Sequence, residues 1–150
     1  MDTFEPTDQE GDALRSARKR RYALQEAIGE VEQAVAAPAA EPTWHSQLEA
    51  RLLGLRVALG QHVEEVEGPD GLLAELMTEA PRLANHIRRV EAEHPVLTEQ
   101  LAGVIELVAA EAEAGVVRAA VMEVLSGLSR HRQQGADLVY EAYKVDIGGG

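Results

Sequence analysis

Three of the five histidines stand where a helical core would carry leucine. His62 continues the series Leu48, Leu52, Leu55, Leu59 and precedes Val66. His94 lies within Leu83, Ile87, Val90, Leu97, Leu101, Val104, Val108. His131 falls between Val117, Val121, Val124, Leu128 and the later Leu138, Ala142, Val145, with Gly135 at the next position of that seam. Steps of three and four residues mark a helix face buried against other helices. Imidazoles at such positions have two chemical uses. Neutral rings converging from separate helices suit a zinc, iron or related ion. Alternatively, they form a metal-free polar layer that fixes helix register at some cost in stability. Glu65, one turn beyond His62, is the nearest carboxylate to complete a ligand set. Glu91 and His94 form a Glu-x-x-His pair of the kind carboxylate-bridged bundles use.

Four helices must position these rings. The first spans about Asp12–Ala37, with the seam Leu14, Ala17, Arg21, Leu24, Ile28, Val31, Val35. Arg21 interrupts it as the histidines interrupt the others, and a guanidinium in the layer supplies positive charge but cannot ligate a cation. Pro38 and Pro42 bracket the first loop. Thr43, or Ser46, caps the second helix, which Gly68-Pro69-Asp70-Gly71 ends. A short helix over Leu72–Thr78 follows, and Pro81 opens the third long helix. Pro95 predicts a kink at His94. Gly115 marks the turn into the fourth helix, and the chain ends in a tri-glycine tail, residues 148–150. Residues 1–11 are an acidic, polar tail. The expected fold is all-α: an antiparallel up-down four-helix bundle over residues 12–147, with a short extra helix between the second and third long ones.

Counting residues from each turn places Arg21, His62, His94 and His131 at levels that differ by three or four residues, about one turn or ~5 Å. One layer, one polar residue from each helix, is therefore expected.

Composition bounds the function. The net charge of −12 opposes broad binding to nucleic acid or an anionic membrane. The absence of cysteine excludes disulfides, thiolate metal sites and cysteine nucleophiles. No apolar run spans a bilayer, and the acidic N-terminus does not read as a signal peptide, so the expected location is the cytoplasm. Arg18-Lys19-Arg20-Arg21 holds much of the positive charge; it is either a docking site for an acidic partner or nucleic acid, or a solvated helix face. No nucleophile–base spacing, phosphate-cradling glycine loop or pair of catalytic carboxylates stands out, which argues against an enzyme.

Three segments, Leu59–Glu65, Val90–Leu97 and His131–Tyr140, give the chain a resemblance to the hemerythrin HHE cation-binding domain. That resemblance implies a nonheme, usually diiron centre with five histidines and two carboxylates, handling oxygen, nitric oxide, peroxide or iron. Several positions depart from the pattern. The first helix offers Arg21 and no histidine. The residue four after His62 is Val66. Val90 and Thr98 flank His94 where a second histidine belongs. Gly135 and Ala136 follow His131 where a carboxylate belongs, with Asp137 one step late. The resemblance thus implies a reduced centre: one iron ion on His62, Glu65, His94 and His131, or no metal, in a protein that senses iron, oxidants or small gases. The alternative is a metal-free helical interaction or regulatory module with a protein partner.

Overall fold

The computed structural model of the chain describes residues 12–148; residues 1–11 and 149–150, read above as tails, lie outside it. The side chains of residues 13, 14, 16, 17, 21 and 145–148 also lie outside the description, so the expected place of Arg21 in the layer falls there too. The described chain is all helix and turn. Its elements are α1 (Asp12–Ala36), α2 (Trp44–Glu67), α3 (Leu72–Glu79), a 3-10 turn (Pro81–Leu83), α4 (Ala84–Ala109) and α5 (Ala114–Gly148). The four long helices pack together. No described helix is long and apolar enough to cross a membrane.

The seam residues form the core. Leu24, Ile28, Val31 and Val35 on α1 meet Trp44, Leu48, Leu52, Leu55 and Leu59 on α2. Arg20 pairs with Glu65 at 3.8 Å and Arg51 with Glu30 at 3.7 Å. The early part of α1 therefore lies beside the late part of α2, so these two helices run in opposite directions. Arg118 on α5 donates to the carbonyls of Val35 at 3.2 Å and Ala37 at 3.0 Å, and its guanidinium lies 5.1 Å from the Trp44 ring centre. A cation at the carbonyl end of a helix satisfies groups that have no partner within the helix.

The punctuation differs in detail from the sequence reading. Thr43 occupies the cap position of α2, but its side chain makes no capping bond; instead the Ser46 hydroxyl donates to the Thr43 carbonyl at 3.1 Å. Pro81 opens the 3-10 turn ahead of α4. α4 then runs unbroken through Pro95. Pro95 is exposed, and so is Glu91, whose carbonyl loses a helical partner. On such a face the unpaired carbonyl is open to solvent. Gly115 lies inside α5, and the corner comes earlier. Glu111 adopts a left-handed φ of 55°. Ala112 N–H donates to Leu107 and Glu111 N–H to Val108, the paired bonds of a Schellman ending in which glycine is the usual left-handed residue. A His45 ring nitrogen, Nε2, bonds the Ala112 carbonyl at 2.8 Å and ties this corner to the start of α2.

Gly68 closes α2 through its N–H to Glu64. At Gly71 a Cβ would overlap the Glu65 carbonyl oxygen. Glycine is required there by close backbone approach, and α3 follows directly with Leu72, Leu73 and Leu76 buried.

Candidate metal centre

The apolar interior is divided in two. One cluster ends at Leu59, Leu97 and Leu128. The other begins at Val66, Val90 and Leu138. Between them in sequence stand His62, His94 and His131, all buried. They are placed by the same three- and four-residue steps that bury their leucine neighbours, so α2, α4 and α5 deliver one ring each to a common level.

The rings converge closely. One nitrogen from each histidine lies within 4.8 Å of the other two. His94 and His131 have centroids 4.7 Å apart, and His62 meets them edge-on at 5.5 and 5.8 Å. Nε2 of His94 lies 3.1 Å from Nε2 of His131. The outer nitrogens face carboxylates. Nδ1 of His131 is 2.6 Å from Oε1 of Glu93, and Nδ1 of His94 bonds Oε2 of Glu67. The Gln134 amide lies against the same Glu93 carboxylate.

This pattern constrains the protons. A carboxylate at Nδ1 holds the proton on that nitrogen and leaves the Nε2 lone pair free. Applied to both rings, it aims two lone pairs at each other across 3.1 Å, which is repulsive unless a proton or a cation lies between them. Burial, followed by the neighbouring His131, pushes the His94 imidazolium down to about 4 against the opposing pull of Glu93. His94 is therefore neutral near pH 7. Burial pushes the Glu67 carboxyl up.

The donor set fits a single transition-metal ion. Two nitrogens at about 2.0–2.1 Å from a tetrahedral ion are roughly 3.3 Å apart, close to the 3.1 Å between the Nε2 atoms. The His62 nitrogen lies within 4.8 Å of the other two, so on a tetrahedral ion it would close by up to about 1.5 Å. Beside the rings lies a cavity of about 40 Å³ whose walls include Val66, Leu72, Leu76, Val90, Gly135 and Leu138. That is space for a diatomic molecule or one or two waters.

Of the residues singled out from sequence, His62, His94 and His131 meet. Glu65 does not join them: it faces Arg20 across the α1–α2 boundary. Asp137 is not part of a buried layer; it is exposed and accepts a hydrogen bond from the Gln133 amide one turn earlier at 2.9 Å. α5 stays helical through Gly135, so Asp137 keeps its place on the exposed face of the helix. Glu67 and Glu93 are the carboxylates the sequence reading missed. Each flanks a seam position and reaches a histidine on the neighbouring helix. The available signal was their place beside the seam, Glu67 next to Val66 and Glu93 next to His94.

Comparison with protein families, curated sequences and solved structures finds no match for this chain.

Proposed function

We propose that the chain binds one divalent transition-metal ion through Nε2 of His94, Nε2 of His131 and a ring nitrogen of His62, with Glu67 and Glu93 orienting two of the ligands. The observation that carries this reading is the pair of Nε2 atoms 3.1 Å apart, each ring held from behind by a carboxylate. Carboxylate–histidine pairs of this kind fix the tautomer and raise ligand basicity. Iron is the ion that the resemblance to the hemerythrin HHE family implies, and an up-down order of the four long helices belongs to the same reading. Three protein ligands leave a position open on a four-coordinate ion. A bound ion would supply a Lewis-acidic site there, and the cavity of about 40 Å³ beside the rings has room for one small molecule. Sensing of a small gas or oxidant fits such a site better than turnover of a bulky substrate.

The test is metal stoichiometry after aerobic purification, followed by titration of stripped protein with iron(II), cobalt(II) and zinc(II). The expected result is one ion per chain, lost in His94→Ala and His131→Ala. Well under one ion per chain, with no binding of any of the three metals, sinks the reading.

A second reading has its own observation. An N–H···N hydrogen bond also spans 3.1 Å, and carboxylates of Glu67 and Glu93 bond the far nitrogens of the same two rings. In that case Glu67, His94, His131 and Glu93 form a metal-free polar chain in a helical interaction module. Imidazole nitrogen-15 shifts distinguish a shared proton from a bound ion.

A further inference from the structure

A groove of about 380 Å³ runs along the surface between α1 and α5. Arg18, Tyr22 and Gln25 line it from α1, and Ser129, Arg132 and Gln133 from α5. No carboxylate lines it, in a chain with 26 acidic and 14 basic residues. A second groove of similar size, about 330 Å³, contains Asp12, Asp70 and Glu75, so the exclusion of carboxylates is local. Among the described residues neither Arg18 nor Arg132 forms an ion pair. Their neighbour Arg20 pairs with Glu65, and Arg15 with Asp12. Arg132 also lines the cavity beside the histidines.

We propose that this groove binds a small oxyanion, a phosphate or a carboxylate, between the guanidinium groups of Arg18 and Arg132. A guanidinium presents parallel N–H donors that match two oxygens of such a group. The Ser129 hydroxyl and the Gln25 amide add neutral donors around the same space, while the Gln133 amide is held by Asp137 at 2.9 Å. Positive charge concentrated in a concave site draws an anion even on an acidic protein, because the local potential outweighs the distant, screened charges. The proposal stands without the metal centre. It also gives the basic run at Arg18 a definite use: Arg18 faces the groove, while Arg20 holds α1 to α2.

Calorimetric titration of the full chain, stripped of metal by a chelator and held at constant ionic strength, tests it with two probes, inorganic phosphate and succinate. Saturable one-to-one binding of either is expected, and preference between them identifies the source of the oxyanion. Arg18→Gln and Arg132→Gln should each weaken binding about tenfold or more, which is about 1.4 kcal/mol. Arg18 is exposed, so its variant retains the fold. Absence of saturable binding by both probes overturns the proposal, as does unchanged affinity in both variants. Binding that appears only after metal is restored also overturns it, since the anion then sits on the ion; in that outcome the metal reading survives.

Discussion

The two apolar halves of the interior are built from the same seam spacing but to different standards. The half between the histidines and Trp44 draws on all four long helices, and Leu24, Val31, Leu48, Leu55, Leu101, Val117 and Leu128 are wholly shielded from solvent. The half beyond the histidines is closed by the short helix α3, and the cavity lies there. Long helices fill space with interlocking side chains along their whole length. The eight-residue α3 buries Leu72, Leu73 and Leu76 there, and the cavity remains beside them. One half is therefore built for stability, and the other leaves room beside the rings.

The largest expected contrast comes from truncating one leucine in each half. Leu52→Ala should cost about 3–5 kcal/mol, since its rigid surroundings cannot collapse into the hole. Leu76→Ala should cost nearer 2 kcal/mol because α3 can settle. Denaturant midpoints measure both, and equal losses would erase the distinction between the halves. Next comes acid. In the unfolded chain the imidazole of residue 94 has its ordinary value of 6.5, and in the native protein about 4. Between those values the unfolded chain holds the extra proton. Stability of metal-stripped protein should therefore fall as pH drops from about 6.5 to about 4, by at most about 3 kcal/mol. Glu67 works the other way: its raised native value lets the folded protein take up a proton first and returns part of that loss at the acid end. His94→Gln should flatten the slope; the same slope in that variant would place its origin elsewhere. The smallest effect concerns the carboxylates. Glu93→Gln should weaken metal binding 10–100-fold, about 1.4–2.7 kcal/mol, whereas Glu65→Gln should leave it unchanged. The reverse ranking would move the orienting role to Glu65.

The rings were legible from sequence because seam spacing is a one-dimensional property. His62, His94 and His131 each replace a leucine in a run of mostly buried neighbours, and counting from the turns sets their heights. Glu67 and Glu93 were not legible in the same way. Each serves a histidine on another helix, and that contact depends on how far neighbouring helices are rotated about their axes, which spacing within one helix does not encode. Glu65, favoured for its closeness to His62 in sequence, sits where it meets Arg20 instead. The corner before α5 was misplaced for a different reason. Gly115 advertises a turn, but the left-handed position belongs to Glu111, held by backbone bonds that any residue can make. Pro95 predicts a kink at His94; α4 stays helical through that proline, which lies on the solvent face.

The bend at Gly71 concentrates risk. Because a single extra carbon there collides with the Glu65 carbonyl, the tilt of the whole lid depends on one hydrogen atom taking the place of a side chain. A side chain at that spot touches no ring and no carboxylate, yet it would shift the segment that carries Leu72, Leu73 and Leu76, so a lesion outside the centre would reach the wall beside its imidazoles.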